Sequence, residues 1–220
     1  MASAADLNAF INYLNGNWNI AVVNGKTYGE PYVIGGQHTR VTPATYKSYI
    51  HSREDGTGSY TSGPYKGTTY EQAAKDYCKR LFDAGLTELF CSDCSGLGMY
   101  WLYNVKHFYS GDLRASGMAA KCTLYKDTPK RGWWVFRKDQ GRVVHIGYMV
   151  DDTYLIHDKG RAYGVEKKKF KKSEWHTWGV PKIWKDVIQS PDNPHPGHTY
   201  IAYQYNYIFA PGGGYFFPPH

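Results

Sequence analysis

Near residue 130 the hydrophobic pattern of this 220-residue chain changes its period, from helical spacing to strict alternation. Leu7, Phe10, Ile11 and Leu14 fall at i, i+3, i+4 and i+7, one face of a helix. Ser3 and Asp6 form a capping pair ahead of it, and Asn15-Gly16 reads as its stop. A second helix opens at Thr68 and Glu71, carries Tyr70, Ala74, Tyr77, Cys78 and Leu81 on one face, and closes at Gly85. A third starts near Ser92, with Leu97, Tyr100, Trp101 and Phe108 at apolar positions. Beyond residue 130, Trp133 to Lys138, Arg142 to Val150 and Thr153 to Asp158 alternate as antiparallel strands, and Arg161 to Lys172 adds more strand. Helices followed by a β meander predict an α+β fold with N-terminal helices packed on an antiparallel sheet.

The catalytic unit is expected to span residues 1–189, and the Pro-, Gly- and aromatic-rich stretch 190–220 to form a final edge strand and tail. In that tail Tyr203, Tyr205, Tyr207 and Phe209 share one face of a strand. Residues 38–68 are polar and read as a long irregular excursion.

No stretch approaches the ~20 apolar residues of a membrane helix, so no membrane insertion is expected. The N-terminus lacks a basic region followed by an apolar one, so no secretory signal is read. Action outside a cell would then follow lysis or carriage on a virion, the chain staying cytoplasmic until release. The net charge of +7 favours an anionic partner. The run Lys167-Lys168-Lys169-Phe170-Lys171-Lys172 is the densest source of it, either a solvated strand edge or an attraction to anionic wall polymer. No nucleic-acid-binding motif accompanies the charge.

A cysteine peptidase needs a thiolate, a base to take its proton, and a group that orients the base. Cys94 precedes an apolar helical run, with Ser92 or Asp93 as cap, and a helix N-terminus lowers a thiol's pKa. His145 and His157 lie on neighbouring strands. A three-residue loop around Asp151 predicts that they face each other directly, Cβ atoms ~5 Å apart. Two imidazoles so placed can act as base and tautomer-fixing partner.

Asp93-Cys94-Ser95-Gly96-Leu97, His145-Ile146-Gly147-Tyr148 and Ile156-His157 follow one another in an order that resembles the NlpC/p-sixty family of papain-like cell-wall cysteine peptidases. Tyr32-Val33-Ile34-Gly35-Gly36 resembles that family's YVxGG segment. The resemblance implies Cys94 as nucleophile, His145 as base and then acid, and His157 as the orienting residue. It implies Tyr32 beside the nucleophile, and Asp93 and Ser95 lining the pocket for the stem-peptide acyl side. The implied reaction is hydrolysis of a peptidoglycan stem-peptide amide, γ-D-glutamyl to diamino acid, through a thioester, with no cofactor and no metal. An N-acetylmuramoyl-L-alanine amidase, an acyltransferase of the same fold and a non-catalytic wall-binding protein are the alternatives.

Two departures stand out. About 55 residues separate the two motifs where the family has a short link, which makes residues 38–90 an insertion and resembles the phage tail-associated or endolysin branch. The segment before the His145 strand, usually GDLVF-like, reads Gly132-Trp133-Trp134-Val135-Phe136.

Cys91-x-x-Cys94 also matches half of a zinc site, but Cys78 and Cys122 are isolated and supply no second pair. A redox dithiol would need a βαβ context that the order of elements does not give. A Cys91–Cys94 disulfide that silences the nucleophile is the lesser alternative to a free Cys94 thiol. Gly25-Lys26-Thr27 ends like a phosphate loop, but residue 20, where the loop's first glycine belongs, is Ile20.

Overall fold

The computed structural model describes residues 2–189; the tail strand expected beyond Ser190 lies outside the described residues. The described residues form an α+β fold whose N-terminal helix packs on a six-stranded antiparallel sheet. None of their helices is long and apolar enough to cross a membrane.

Helix α1 (Ala4–Trp18) begins with a capping box: the Asp6 N–H donates to Ser3 Oγ at 3.1 Å and the Ser3 N–H to Asp6 Oδ2 at 3.0 Å. Leu7, Phe10, Ile11 and Leu14 are its buried face. The helix runs through Asn15-Gly16 instead of stopping there, because Trp18 packs on the core and buried Asn17 accepts the Glu30 N–H at 2.8 Å. Those contacts outweigh the roughly 1 kcal/mol that an interior glycine costs a helix.

A hairpin of β1 (Ala21–Val23) and β2 (Lys26–Tyr28) leads to the Tyr32–Gly36 turn. Next come β3 (Thr39–Val41), α2 (Tyr46–Glu54), α3 (Tyr70–Asp83) and β4 (Leu89–Cys91). Residues 38–68 are therefore more ordered than their composition suggests. Strand β3 pairs β4 antiparallel, Thr39 with Cys91 and Val41 with Leu89, so the excursion leaves and returns at one neck. Its helices share a core with Tyr28 and Val33 that precede it, in which Tyr46 and Ile50 of α2 meet Ala74, Tyr77, Cys78 and Leu81 of α3. The cap of α3 is Thr69, not Thr68: its side chain accepts the Gln72 N–H.

Helix α4 (Gly96–Met99) passes into a π-helical segment at Tyr100–Val105, and Phe108 lies beyond it. After α5 (Ala115–Ala120) come β5 (Cys122–Tyr125), β6 (Trp134–Asp139), β7 (Arg142–Met149), β8 (Tyr154–Asp158), β9 (Val165–Lys169), β10 (Thr177–Pro181) and α6 (Lys185–Gln189). The sheet order is β5-β10-β6-β7-β8-β9. The strand expected over Arg161–Lys172 is confined to β9, since residues 160–164 fold into a turn closed by Gly164 N–H to the Gly160 carbonyl at 2.8 Å.

Candidate active site

Two segments 55 residues apart in sequence meet at the neck. Tyr32 bridges Ser92 in parallel fashion, the Val33 N–H donates to the Ser92 carbonyl at 2.8 Å, and the Asp93 N–H donates to the Gly36 carbonyl at 3.0 Å. The approach is so close that a Cβ on Gly96 would collide with the Gly36 carbonyl oxygen. Glycine is required there by contact, not by torsion.

Asp93 organises the start of α4. Its Oδ1 accepts the Ser95 N–H (2.9 Å), the Ser95 hydroxyl (2.9 Å) and the Gly96 N–H (2.7 Å), while Oδ2 accepts the Gly35 N–H (2.9 Å). The polar atoms expected to line a pocket are thus spent on fixing the loop that carries Cys94. The Tyr148 hydroxyl donates to the Cys94 carbonyl at 3.1 Å, tying the loop to β7.

Cys94 itself is buried in the core with Leu97, Tyr148 and Ile156. Burial pushes its thiol up to about 12, with the Asp93 carboxylate adding to the rise, and the Ile146 and Ser95 N–H groups opposing it. The lowering expected of a helix N-terminus is not met: α4 spans four residues before its geometry changes, and desolvation is larger than any dipole so short a helix supplies.

His145 and His157 come together. Their Nε2 and Nδ1 atoms lie 2.7 Å apart, and both rings pack on Trp175, centroids 5.8 and 5.5 Å away. The register is not the expected one, however. Tyr148 pairs with Ile156 and Met149 with Leu155, so the histidines are diagonal neighbours instead of direct partners. The cause is Asp151, whose Oδ1 accepts the Thr153 and Tyr154 N–H groups at 2.8 and 2.6 Å and centres the loop on Asp152. A two-residue shift preserves the face, and the pair survives.

Glu166, which motif reading missed, completes the set. It faces His157 directly across β8–β9, and its Oε1 lies 3.1 Å from His157 Nε2. Burial alone would raise its carboxyl, but the His157 and Lys159 hydrogen bonds outweigh that and hold it at about 2. Only the alternation of β9 could have signalled this, by placing Glu166 on the His157 face. A carboxylate can only accept, so Nε2 of neutral His157 carries its proton and Nδ1 is bare. That atom accepts Nε2–H of His145, leaving the lone pair of His145 on Nδ1. Desolvation first, then His157 and Arg137, hold the His145 imidazolium well below 6.5. Burial also lowers His157, partly offset by Glu166. Both rings are neutral bases near pH 7. Among the described residues no hydrogen bond joins the Cys94 sulfur to either ring; the sulfur faces the N–H of Ile146, the neighbour of His145.

Tyr32 is half-buried, its phenol raised by burial and next by the field of Cys94. Asp158 is fully buried with neither carboxyl oxygen hydrogen-bonded among the described residues. Burial, then Glu30 and Asp93, push its carboxyl well above the usual carboxylate range, with Arg161 opposing them. All four cysteines are free thiols, and the partner of Cys91 is the Cys78 thiol rather than Cys94. Among the described residues one side-chain group could converge on a cation: His51, Asp55 and Glu71, ligand atoms within 4.8 Å, where α2 and α3 meet the surface. Lys75 already bonds Glu71 there.

No protein-family model matches the sequence, and no curated protein matches it. Among solved structures the chain is similar to NlpC1 from Trichomonas vaginalis at 17% identity and TM-score 0.46, over 83% of this chain and 46% of that one. It is similar to the P60 domain of an antigen from M. avium subspecies paratuberculosis at 16% and 0.43, over 81% and 96%. The peptidoglycan hydrolase RipB from Mycobacterium tuberculosis matches at 17% and 0.43, over 83% and 69%. The chain spans about half the length of the Trichomonas protein.

Proposed function

We propose that this chain is a cysteine peptidase of the NlpC/p-sixty kind that hydrolyses an amide of the bacterial peptidoglycan stem peptide, at the γ-D-glutamyl to diamino acid bond. The observation that carries the reading is the relay Glu166–His157–His145, which leaves a bare Nδ1 on the residue beside the amide that faces the Cys94 sulfur. A buried neutral thiol and a neutral imidazole suit proton transfer during attack, not a resting thiolate–imidazolium pair.

In this reading His145 Nδ1 takes the thiol proton as Cys94 Sγ bonds to the carbonyl carbon. The oxyanion is met by the Cys94 N–H and the Tyr32 hydroxyl. His145 then gives its proton to the leaving amine as the C–N bond breaks, leaving a thioester. Water attacks next, His145 takes a proton from it, and the sulfur leaves and regains that proton. His157 and Glu166 hold the ring's tautomer throughout. The lysines on and after β9 would draw the chain to anionic wall polymer, an attraction that salt weakens.

Incubation of the purified chain with peptidoglycan, with released fragments identified by mass, tests this. Free γ-D-glutamyl ends in the wild type and none with Cys94→Ala are expected. Cleavage next to muramic acid would assign an amidase, and transfer to an added amine an acyltransferase. Wall pull-down without cleavage would overturn the enzyme reading.

A further inference from the structure

The insertion carries a clamp on Tyr32. Glu54, at the end of α2, is buried, with 1% of its surface exposed. Its Oε1 accepts the Ile34 N–H at 2.8 Å, two residues beyond Tyr32. Arg161, from the β8–β9 turn, meets the same carboxylate at two points: Nε to Oε1 at 3.0 Å and Nη2 to Oε2 at 3.0 Å. The Arg161 guanidinium lies between two rings, 4.7 Å from the Tyr32 centroid and 4.6 Å from that of Tyr70, the first residue of α3. Thr57 adds a hydroxyl donor to Glu54 Oε2 at 3.1 Å.

Every charge in this set is paired, and the contacts fall into two groups. The inserted segment supplies Glu54, Thr57 and Tyr70. The sheet-bearing body supplies Arg161 and the Tyr32 turn. A planar guanidinium held bidentately by a carboxylate has little freedom left, so a ring stacked on it is fixed as well. Nothing in the geometry demands a residue as expensive to bury as glutamate merely to hold α2 down. The inserted core of Ile50, Tyr77 and Leu81 already does that.

We propose that Glu54 and Arg161 are positioning residues for the reaction: they fix the Tyr32 ring, and with it the phenol beside Cys94, so that the insertion completes the site. The inference rests on the peptidase reading given above.

The test is a cycle between Tyr32→Phe and the paired variant Glu54→Gln/Arg161→Met. The pair removes both charges together, so no lone charge is left buried, and Met keeps apolar volume between the rings. Two quantities are read: kcat and KM for stem-peptide cleavage, and the rate at which iodoacetamide alkylates Cys94, followed on its own peptide by mass. The paired variant is expected to lower kcat about tenfold with KM changed less than about twofold, as for a displaced catalytic group. It is also expected to change the alkylation rate at least about threefold. In the Tyr32→Phe background, which lacks the phenol to be placed, it should lower kcat no further. An equal loss in both backgrounds, or unchanged kcat and alkylation in the paired variant, would overturn the proposal. If the wild type cleaves nothing, the peptidase reading fails. The alkylation change still decides whether the clamp controls the surroundings of Cys94.

Discussion

The Tyr148 hydroxyl donates to the Cys94 carbonyl at 3.1 Å, joining the loop that carries the sulfur to the strand that carries His145. Tyr148→Phe removes that bond and leaves a buried carbonyl short of a donor. A loss of about 1 kcal/mol in urea unfolding is expected. Activity should fall as well, since Cys94 is then free to shift relative to β7. Unchanged stability would show that the bond contributes nothing.

Gly96→Ala should be among the most damaging small substitutions in the chain. The atom that its Cβ meets is the Gly36 backbone carbonyl, which cannot step aside without opening the neck. The cost is expected at about 3 kcal/mol or more, beyond ordinary overpacking. Gly111, whose added Cβ meets nothing within 4 Å, is the control, and Gly111→Ala should change the unfolding midpoint little.

Glu166→Gln keeps the shape of the relay and removes its anion. The His157 tautomer is then no longer imposed, and kcat should fall about tenfold or more. Glu166 also raises the affinity of His145 for its proton, so its loss should move the acid limb of the rate profile to lower pH. A limb that moves upward would contradict the relay.

The pH dependence of the wild type has a defined sign. In the proposed reaction His145 acts only when neutral, and its proton affinity lies well below the ordinary 6.5, so kcat/KM should hold through pH 6.5 and decline only in more acid solution. Alkylation of Cys94 should keep rising with pH toward about 12, without a plateau near neutrality. A plateau below pH 8 would mean that a thiolate–imidazolium pair already exists at rest.

Asp158→Asn replaces a fully buried carboxyl by an uncharged isostere. A carboxyl whose affinity for its proton is raised on folding stabilises fully only below the unfolded value of 3.8, and that stability drains away as pH rises. The Asn variant should therefore be more stable than the wild type near pH 7, by a margin that shrinks in acid. Urea midpoints across that range measure it, and a less stable variant at pH 7 would point to an ionised, partnered Asp158.

Much of this arrangement is legible in the sequence because it rests on local chemistry. The Ser3–Asp6 box, the face of α1 and the strands flanking Asp151 follow from side-chain spacing alone. What escapes is set by tertiary contact. Helix α2 buries Tyr46, Ile50 and Glu54 in an otherwise polar segment, so periodicity gives no signal. Strand β5 is short, and β10 contains Gly179, whose lack of a side chain permits a close approach to Thr123. The register around His145 depends on one Asp151 side chain, and Glu166 meets His157 only through the pairing of β9 with β8. The raised proton affinity of the Cys94 thiol comes from burial, which a motif does not encode.

The Val41–Leu89 pairing at the neck has one more consequence. Once two strands close the base of a detour, the length of chain beyond them hardly touches the geometry below, and doubling such a loop costs only about 0.6 kcal/mol in closure entropy. Distance along the chain between the Tyr32 and Cys94 segments then says nothing of how far apart their atoms lie.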